Sequence, residues 1–259
     1  MIVKKEKLML SILLKPKHTY DLIRLGQDND GGYIVEKQST KKSKNLVSFG
    51  LADDWSFEKD FKKFNPSATI TCYDHTVNKS YWSAYLWHNL GRCLFFKISF
   101  KKFLGQIRKY LDYKKFFSQR NIQHFERALG IGDLNNAINV IEATDDLENV
   151  TLKIDVEGAE YRALNDILTI QDKLESLIIE FHNIDIHMSS ILDFIKKFNL
   201  DIVHIHANNS DFVYNKTPAM IEVTFAKNPK ILRDMPTIPH ELDQICETTR
   251  RDIELLFDE

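Results

Sequence analysis

The sequence predicts an α/β fold in which a mostly parallel β-sheet carries helices on both faces. Short apolar runs rich in β-branched residues alternate along the chain with segments whose apolar residues recur at helical spacing. Several of these runs end in glycine or in an acidic residue, which places polar groups at the carboxyl edge of a sheet. After five such units, two runs separated by a short polar stretch indicate an antiparallel pair near the C-terminus.

The predicted strands of the five units lie in segments 45–50, 68–74, 122–133, 151–160 and 176–183. A helix at 188–198 precedes the antiparallel strands, which are predicted at 201–209 and 220–226. The apolar run 8–14 is predicted to be a short amphipathic helix packed on the domain. The chain is predicted to close with a helix over 242–256.

The length and composition are those of one soluble domain. With 259 residues the chain can bury one large core, and we expect a single domain over 1–259. Residues 1–40 are expected to hold the first helix and a hairpin, and about 76–120 a helical insert after the second strand. A formal net charge of −2 requires no nucleic-acid partner.

The cysteines and the hydropathy of the sequence indicate the expected cellular compartment. The three cysteines Cys72, Cys93 and Cys246 are widely spaced, so we expect reduced thiols and a cytoplasmic protein. The apolar run 8–14 is too short to span a bilayer and ends at lysines and a proline. We therefore expect no stable membrane insertion.

The most informative stretch is Lys153–Glu160, which reads KIDVEGAE. It is a buried strand that ends in two carboxylates and a glycine, so Asp155 and Glu157 are predicted to face the ligand crevice at the carboxyl edge of the sheet. These eight residues resemble the most diagnostic motif of the FkbM-type S-adenosylmethionine (SAM) dependent methyltransferases. The resemblance implies the class I SAM-methyltransferase (Rossmann-like) sheet, SAM as the cofactor, and methyl transfer to a hydroxyl of a sugar or a related natural product.

Two further segments carry the resemblance, which covers roughly residues 20–226. Asp30, Gly31 and Gly32 lie in a segment similar to the Arg-x-Gly…Asp-Gly-Gly-Tyr sequence of one branch of the family. Asp-Gly-Gly is also a common hairpin turn, so a plain turn and a loop over the cofactor both remain open. Gly130 and Asp133 lie in a segment that resembles the family's adenine-contacting loop.

The turn after the first strand indicates which class of cofactor the protein binds. Gly50 ends the strand, and the helix that follows opens with Asp53, Asp54 and Trp55. A diphosphate at this helix N-terminus would meet two carboxylates, whereas the cationic sulfonium and amino groups of SAM tolerate acids nearby. Gly50, Asp54 and Trp55 are therefore predicted to contact SAM, and Asp155 is also predicted to lie in the cofactor site.

The second strand ends at Asp74. An acidic residue about twenty positions beyond the glycine turn suits ribose recognition, because one carboxylate can accept hydrogen bonds from both ribose hydroxyls. Asp74 is therefore predicted to bind the ribose. The alternative is an ordinary strand-terminal acid that faces water.

The predicted catalytic groups lie at the ends of neighbouring strands. His182 is the first choice for the general base, because an unperturbed imidazole titrates near neutral pH, and Asp155 is the second. Glu180 shares a sheet face with His182 by alternation. Glu157, His206 and Asn208 are predicted to contact the acceptor, although His206 fits an ordinary half-buried strand residue equally well.

A divalent metal is an alternative use of the same edge. Asp155, Glu180 and His182 are predicted to bind Mg²⁺ or Mn²⁺ if a metal is present, as some O-methyltransferases do with acids at comparable strand ends. A mixed carboxylate and imidazole set favours Mn²⁺ over Mg²⁺.

The helical insert is rich in both aromatic and basic residues. The aromatic residues are predicted to form a small core with a solvated basic face. Two other interpretations remain open. In one, the insert covers the acceptor site and offers cations to a phosphate-bearing substrate, and in the other it forms a homodimer surface.

The resemblance and the site residues together predict a SAM-dependent O-methyltransferase. The expected partner is a small-molecule acceptor, a nucleotide-linked sugar of the GDP-heptose type used for capsule or another surface polysaccharide. Two alternatives are a nicotinamide-dependent sugar dehydrogenase and a catalytically inactive SAM-binding scaffold domain. The first would need phosphate-binding glycines that this chain lacks after its first strand.

Overall fold

The computed structural model of the protein describes residues 6–130, 136–214 and 217–258. Its strands, in chain order, are β1 (Glu6–Leu10), β2 (Thr19–Tyr20), β3 (Leu22–Gly26), β4 (Gly32–Glu36), β5 (Asn45–Phe49), β6 (Thr69–Tyr73), β7 (Ile122–Phe125), β8 (Ala128–Leu129), β9 (Ala137–Ile138), β10 (Val150–Ile154), β11 (Leu174–Phe181), β12 (Asp201–Tyr214), β13 (Thr217–Ala226), β14 (Ile231–Arg233) and β15 (Ile253–Phe257). Its α-helices are α1 (Lys37–Lys42), α2 (Ser56–Phe64), α3 (Lys79–Leu94), α4 (Phe100–Phe117), α5 (Val140–Ala143), α6 (Leu164–Ile170) and α7 (Ile184–Lys197). Single turns of 3₁₀-helix lie at Ile12–Leu14, Glu160–Arg162 and Gln171–Lys173.

Seven strands form the central sheet in the order β12-β13-β11-β10-β5-β6-β7. Strand β13 is antiparallel to both of its neighbours, and the other pairings are parallel. This is the mostly parallel sheet that the sequence predicts, with its antiparallel strand near the C-terminus. Strand β10 is buried along its whole length, as expected for a central parallel strand covered on both faces.

The sheet separates two hydrophobic clusters. One face packs against α5, α6 and α7, with Ile167, Ile191 and Phe194 among its buried residues. The other face packs against α2 and the β3–β4 hairpin, with Phe57 and Phe61 buried. Successive residues of each strand point to opposite faces, so one apolar run supplies both clusters.

The helical insert is confirmed, because α3 and α4 follow β6. Asn78 and Ser99 cap the two helices, each with its side-chain oxygen accepting a backbone N–H three residues later. The buried residues of the two helices are Trp82, Asn89 and Phe116. Within the described part of the chain, no helix combines the length and the apolar character that crossing a bilayer requires.

Two terminal predictions are wrong. The run 8–14 forms strand β1 and one 3₁₀ turn instead of a helix, and β1 pairs in parallel with β15. The predicted helix over 242–256 is replaced by irregular chain and β15. The buried residues of β1 are Leu8 and Leu10, an alternation that fits a strand and that the short apolar run obscured.

Candidate functional site

A cavity of about 420 Å³ opens at the carboxyl ends of β5, β6 and β10, a volume within the usual range for ligand pockets. Gly50, Asp74 and Asp155 line it at the three strand ends. The turn of the β3–β4 hairpin covers one side through Asp30 and Gly31. The Asp-Gly-Gly segment therefore forms a hairpin turn and also borders the cavity, so the two interpretations of it are compatible.

Gly50 is fixed by a close approach between two strand ends. Its φ is +82°, and a Cβ built on it would lie 1.5 Å from the carbonyl oxygen of Asp155. Only glycine leaves room for that oxygen. The turn after β5 and the end of β10 are thus in direct backbone contact at the floor of the cavity.

Asp74 binds the turn that follows Gly50. Its Oδ2 accepts hydrogen bonds from the backbone N–H groups of Leu51 (2.9 Å) and Ala52 (2.7 Å), and its Oδ1 accepts from the backbone and hydroxyl of Thr76 (both 2.6 Å). Burial raises the pKa of Asp74, but these hydrogen bonds outweigh burial and hold the pKa below its ordinary value. Asp74 lines the cavity, and ribose binding by it stays a prediction.

Tyr33, on β4, is a site residue that the sequence reasoning missed. Its hydroxyl donates to Oδ2 of Asp155 at 2.7 Å and lies 3.4 Å from Oε2 of Glu180. Burial, reinforced by the charges of these two acids, raises the pKa of the Tyr33 phenol well above its usual value, so the group stays a neutral donor. The only sequence feature that points to Tyr33 is its position directly after the Asp-Gly-Gly turn.

Lys153 is a second missed residue, since it was read only as part of the strand. Its Nζ donates to the carbonyl oxygen of Gly50 at 3.1 Å, lies 3.9 Å from Oδ2 of Asp155, and sits 4.9 Å from the centre of the Tyr33 ring. Burial lowers its pKa, but Asp155, with other nearby acids, raises the pKa above its ordinary value. Lys153 is therefore a buried cation beside Asp155.

Glu180 lies behind Asp155 instead of on the cavity wall. It is buried, and its Oε1 accepts a hydrogen bond from Nδ2 of Asn208 at 2.9 Å. Burial, together with the charges of Asp155 and Glu222, raises its pKa well above the ordinary value for glutamate.

His182 is held between two acids. Oε1 of Glu160 accepts from the backbone N–H of His182 at 2.7 Å and lies 3.2 Å from its Nδ1, and Oε2 of Glu157 lies 3.5 Å from its Nε2. Burial lowers the pKa of the imidazole, but Glu160 and the other nearby acids raise it to about 9. His182 is therefore protonated at neutral pH, and a protonated imidazole cannot accept the proton of an acceptor hydroxyl. Glu160 completes this cluster and was not predicted as a site residue.

The predicted site residues divide between the cavity and its surroundings. Those that line the cavity are Asp30, Gly31, Gly50, Asp54, Asp74, Asp155 and Glu157. Those that the structure places outside its lining are Gly32, Trp55, Gly130, Glu180, His182, His206 and Asn208. Asp133 lies outside the described residues. The strand ends thus converge as predicted, although only part of the set faces the ligand space.

Trp55 stabilises the insert. It is buried, packs edge-on against Trp82 and Tyr113, and donates from Nε1 to Oδ2 of Asp112 at 2.9 Å. No residue of α3 or α4 is among the described cavity-lining residues. One link between the insert and the cavity wall is an ion pair between Lys109 and Asp53 at 2.5 Å.

The predicted metal set matches the structure in part. Possible ligand atoms of Asp155, Glu157 and His182 lie within 4.8 Å of one another, with Glu157 in the place predicted for Glu180. Two carboxylates and an imidazole fit Mn²⁺ better than Mg²⁺. To bind a metal, His182 would first have to lose the proton that the acids stabilise, so metal dependence stays a prediction.

No family model matches this sequence, and no curated protein matches it. Among solved structures it is similar to the precorrin-6y C5,15-methyltransferase of Geobacter metallireducens GS-15, with 13% identity, 74% of this chain and 84% of the other covered, and a TM-score of 0.39. It is also similar to the fibrillarin pre-rRNA processing protein of Methanococcus jannaschii, with 10% identity, 85% and 88% coverage, and a TM-score of 0.40. Similarity at this level leaves activity to be inferred from the site itself.

Proposed function

We propose that this protein is a SAM-dependent O-methyltransferase that acts on a hydroxyl of a sugar, and specifically of a nucleotide-linked sugar. The sheet order and the Lys153–Glu160 motif support the methyltransferase part of this proposal. The observation that carries it is the charge of the cavity lining.

Acidic side chains dominate that lining. Seven carboxylates face the cavity, those of Asp30, Asp53, Asp54, Glu58, Asp74, Asp155 and Glu157. The lysine and arginine side chains among the lining residues are Lys153 and Arg127. Such a lining attracts the sulfonium and amino cations of SAM and repels the diphosphate of a nicotinamide cofactor. The charge pattern therefore favours methyl transfer over the dehydrogenase alternative.

Asp155 is the proposed general base in place of His182. SAM, when bound, supplies a methyl group on a cationic sulfur. The chain must hold the acceptor hydroxyl in line and accept its proton. Asp155 lines the cavity, while His182 lies outside the lining and is protonated at neutral pH.

Tyr33 and Lys153 are the proposed positioning residues. The hydrogen bond from the Tyr33 hydroxyl fixes Oδ2 of Asp155, and the Lys153 cation 3.9 Å away balances its charge. Because both groups are buried, they hold Asp155 in one orientation at the cavity wall. Glu157, whose side chain is 88% exposed, is the proposed contact to the acceptor at the cavity edge.

The sugar acceptor rests on the resemblance to FkbM-type enzymes. A nucleotide-linked sugar for a surface polysaccharide is the class that this resemblance implies. Because the acidic lining repels a diphosphate, only the sugar ring of this acceptor is proposed to enter the cavity, with its diphosphate outside the lining. The cytoplasm, where such sugars are made, is the proposed location. Mg²⁺ or Mn²⁺ dependence and a homodimer remain part of the proposal.

The decisive experiment combines binding with turnover. Calorimetric titrations with SAM and with NAD identify the cofactor class, and incubation with SAM and a panel of nucleotide sugars, with and without chelator, tests transfer by a mass gain of one methyl group. We expect SAM binding and methylation of at least one sugar. NAD binding in place of SAM would refute the proposal, and SAM binding without transfer to any acceptor would favour the scaffold alternative.

A further inference from the structure

A second cluster of potential metal ligands lies outside the described cavity lining, on the antiparallel pair of the sheet. His206 on β12 and Glu222 on β13 are direct cross-strand partners. Cys246 reaches them from the irregular segment between β14 and β15. All three residues are less than 9% exposed.

The spacing of the three donor atoms is close to that of a tetrahedral metal site. Nδ1 of His206 lies 3.6 Å from Oε2 of Glu222 and 4.0 Å from Sγ of Cys246, and Sγ lies 3.8 Å from Oε1 of Glu222. Zinc bonds of roughly 2.0–2.3 Å in tetrahedral geometry separate neighbouring ligand atoms by roughly 3.3–3.7 Å. One ligand atom from each residue lies within 4.8 Å of the other two, so side-chain adjustments of up to about 1 Å would bring the nitrogen, one carboxylate oxygen and the sulfur to those distances.

Acidic side chains lie around the cluster. Asn208, two residues beyond His206 on β12, lies 3.5 Å from Oδ1 of Asp30 and donates to Oε1 of Glu180 at 2.9 Å. A divalent cation would offset this carboxylate charge, and its binding would release the protons of the ligand side chains to solvent.

The segment that carries Cys246 has no regular secondary structure and is held to the sheet by side-chain contacts. Residues 234–252 contain no helix or strand, an unusual length of irregular chain within a compact domain. Three side chains of β12 contact the segment. His204 contacts Asp243, His206 contacts Cys246, and Asn209 contacts Glu247. A metal at the middle contact would fasten it to the sheet.

We propose that His206, Glu222 and Cys246 bind one zinc ion, which fastens the segment 234–252 to strands β12 and β13. Each residue supplies one ligand atom, namely Nδ1, a carboxylate oxygen and Sγ. Zinc binding releases the thiol proton, and no electron transfer is involved.

Metal titrations of the full chain test this site. After chelator dialysis, zinc affinity is measured by competition with a colorimetric chelator, and cobalt binding by absorbance. We expect one zinc per chain and a thiolate-to-cobalt charge-transfer band. Cys246→Ser should remove the band and weaken zinc binding at least a hundredfold, because even residues that only support metal ligands cost ten- to hundredfold.

Matched variants separate this site from others. Cys93→Ser removes a cysteine in α3 and should change neither readout, and Asp155→Asn should leave zinc binding intact because it alters only the group beside the cavity. If Cys246→Ser does not fold, His206→Gln gives the same test. Equal zinc affinity in wild type and Cys246→Ser, or a cobalt complex without the thiolate band in wild type, would overturn the assignment.

A separate observation concerns the exposed apolar face of the insert. At the turn between α3 and α4, Phe95 is 78% and Phe96 is 96% exposed, and Trp87 and Phe100 are 70% and 66% exposed. Between the two helices lies an apolar groove of about 300 Å³ lined by Trp87, Phe103 and neighbouring residues. Contiguous exposed apolar surface of this kind marks an interaction site.

The charge of the insert identifies the kind of partner. Residues 76–120 contain ten lysines and arginines and one acid, Asp112, in a chain whose net charge is −2. Nine of the ten basic side chains are exposed, with Lys109 the exception. A second copy of the chain would present the same cations and be repelled, whereas an anionic lipid surface attracts the cations and accepts the aromatic rings.

We propose that the turn between α3 and α4 docks on the surface of an anionic membrane. Phe95 and Phe96 enter the interface between headgroups and acyl chains, and Lys97, Lys101 and Lys102 contact the headgroups. The protein lies on the membrane and does not span it.

Vesicle co-sedimentation tests the docking. We expect binding to vesicles that contain phosphatidylglycerol, little binding to pure phosphatidylcholine, and loss of binding at high salt. Lys101→Ala with Lys102→Ala should weaken binding about fivefold for each lysine, and Phe95→Ser with Phe96→Ser should weaken it more strongly. Matched controls outside the insert are Lys41→Ala with Lys42→Ala, and Ile231→Ser with Leu232→Ser, which should bind like wild type.

Three results would overturn the docking proposal. Equal binding to neutral and anionic vesicles would remove its electrostatic basis. A dimer in sedimentation analysis that the Phe95→Ser and Phe96→Ser pair converts to monomer would assign the face to a second copy. Tight RNA binding that the same pair abolishes, without vesicle binding, would assign it to nucleic acid.

Discussion

The carboxyl edge of the central sheet and the helical insert differ in how they are held and in the charge that they present. In β10 every residue is buried, and the polar groups at its end are bonded to one another. In α3 and α4 the buried residues are Trp82, Asn89 and Phe116, and many apolar side chains face solvent. The cavity wall is acidic, whereas the insert is basic.

The difference indicates that the two regions have different structural requirements. Reacting groups must stay within a fraction of an ångström of their productive positions, which requires packing and satisfied hydrogen bonds on all sides. A docking surface needs only to present apolar area and charge to something outside. Substitutions should therefore have large effects at the sheet edge and small effects on stability in the insert.

Asp155→Asn should have the largest effect on activity. Removing the proposed base should lower kcat by a factor of about 10² to 10⁴. SAM affinity, measured by calorimetry, should fall much less than kcat, because six other carboxylates line the cavity. His182→Gln is the matched variant and should retain more activity, because His182 is already protonated at neutral pH. A larger loss of kcat in His182→Gln than in Asp155→Asn would return the base role to His182.

Gly50→Ala should have the largest effect on stability. The new Cβ would collide with the carbonyl oxygen of Asp155, and φ is +82°, so we expect a loss of about 4 kcal/mol in the free energy of unfolding. Gly105→Ala in α4 has open space around it and should stabilise the protein by about 0.5–1 kcal/mol. Urea titration of both variants provides the test, and similar stabilities would contradict it.

A pair of leucine truncations extends the comparison to side-chain packing. Leu152→Ala in β10 removes a fully buried side chain and should cost about 2–5 kcal/mol. Leu111→Ala in α4 truncates a side chain that is 56% exposed and should change stability by less than about 0.5 kcal/mol. Thermal and urea unfolding measure both variants, and a comparable cost at Leu111 would show that the insert is packed like the core.

The charged state of His182 should make stability depend on pH. Its pKa is about 9 in the folded protein and near 6.5 in an unfolded chain. The stabilisation is therefore complete below about pH 6.5 and is lost as pH rises through about 9, an effect of about 3 kcal/mol. Urea unfolding at pH 6 and pH 10 should show a larger loss in wild type than in His182→Gln, because other groups, such as Tyr33, lower the stability of both proteins near pH 10. Equal pH dependence in both would contradict the assignment.

Much of the sheet could be predicted because its strands are apolar runs that can be recognised from the local sequence alone. The segments around 151–154 and 176–181 ended in acids that the structure does bring to one edge. The two ends of the chain could not be predicted, because β1 and β15 stabilise each other across more than 240 residues of sequence. Neither segment has a strong enough local pattern to reveal that pairing.

The candidate site was predictable in its residues more than in their roles. Asp155 and His182 were identified from strand ends, but the pKa of His182 depends on Glu160, which reaches it from the turn after β10. Tyr33 approaches Asp155 from a hairpin 122 residues earlier in the chain. Such contacts depend on tertiary packing, which period and spacing do not encode.

The backbone contact between Gly50 and Asp155 has a kinetic consequence under the proposed function. Because the two main chains touch, the turn beside the methyl donor and the base that receives the proton move together. The main chain thus fixes where the Asp155 side chain starts, and the hydrogen bond from Tyr33 fixes where its carboxylate ends. We expect the chemical step to carry a small entropic barrier once both substrates are bound.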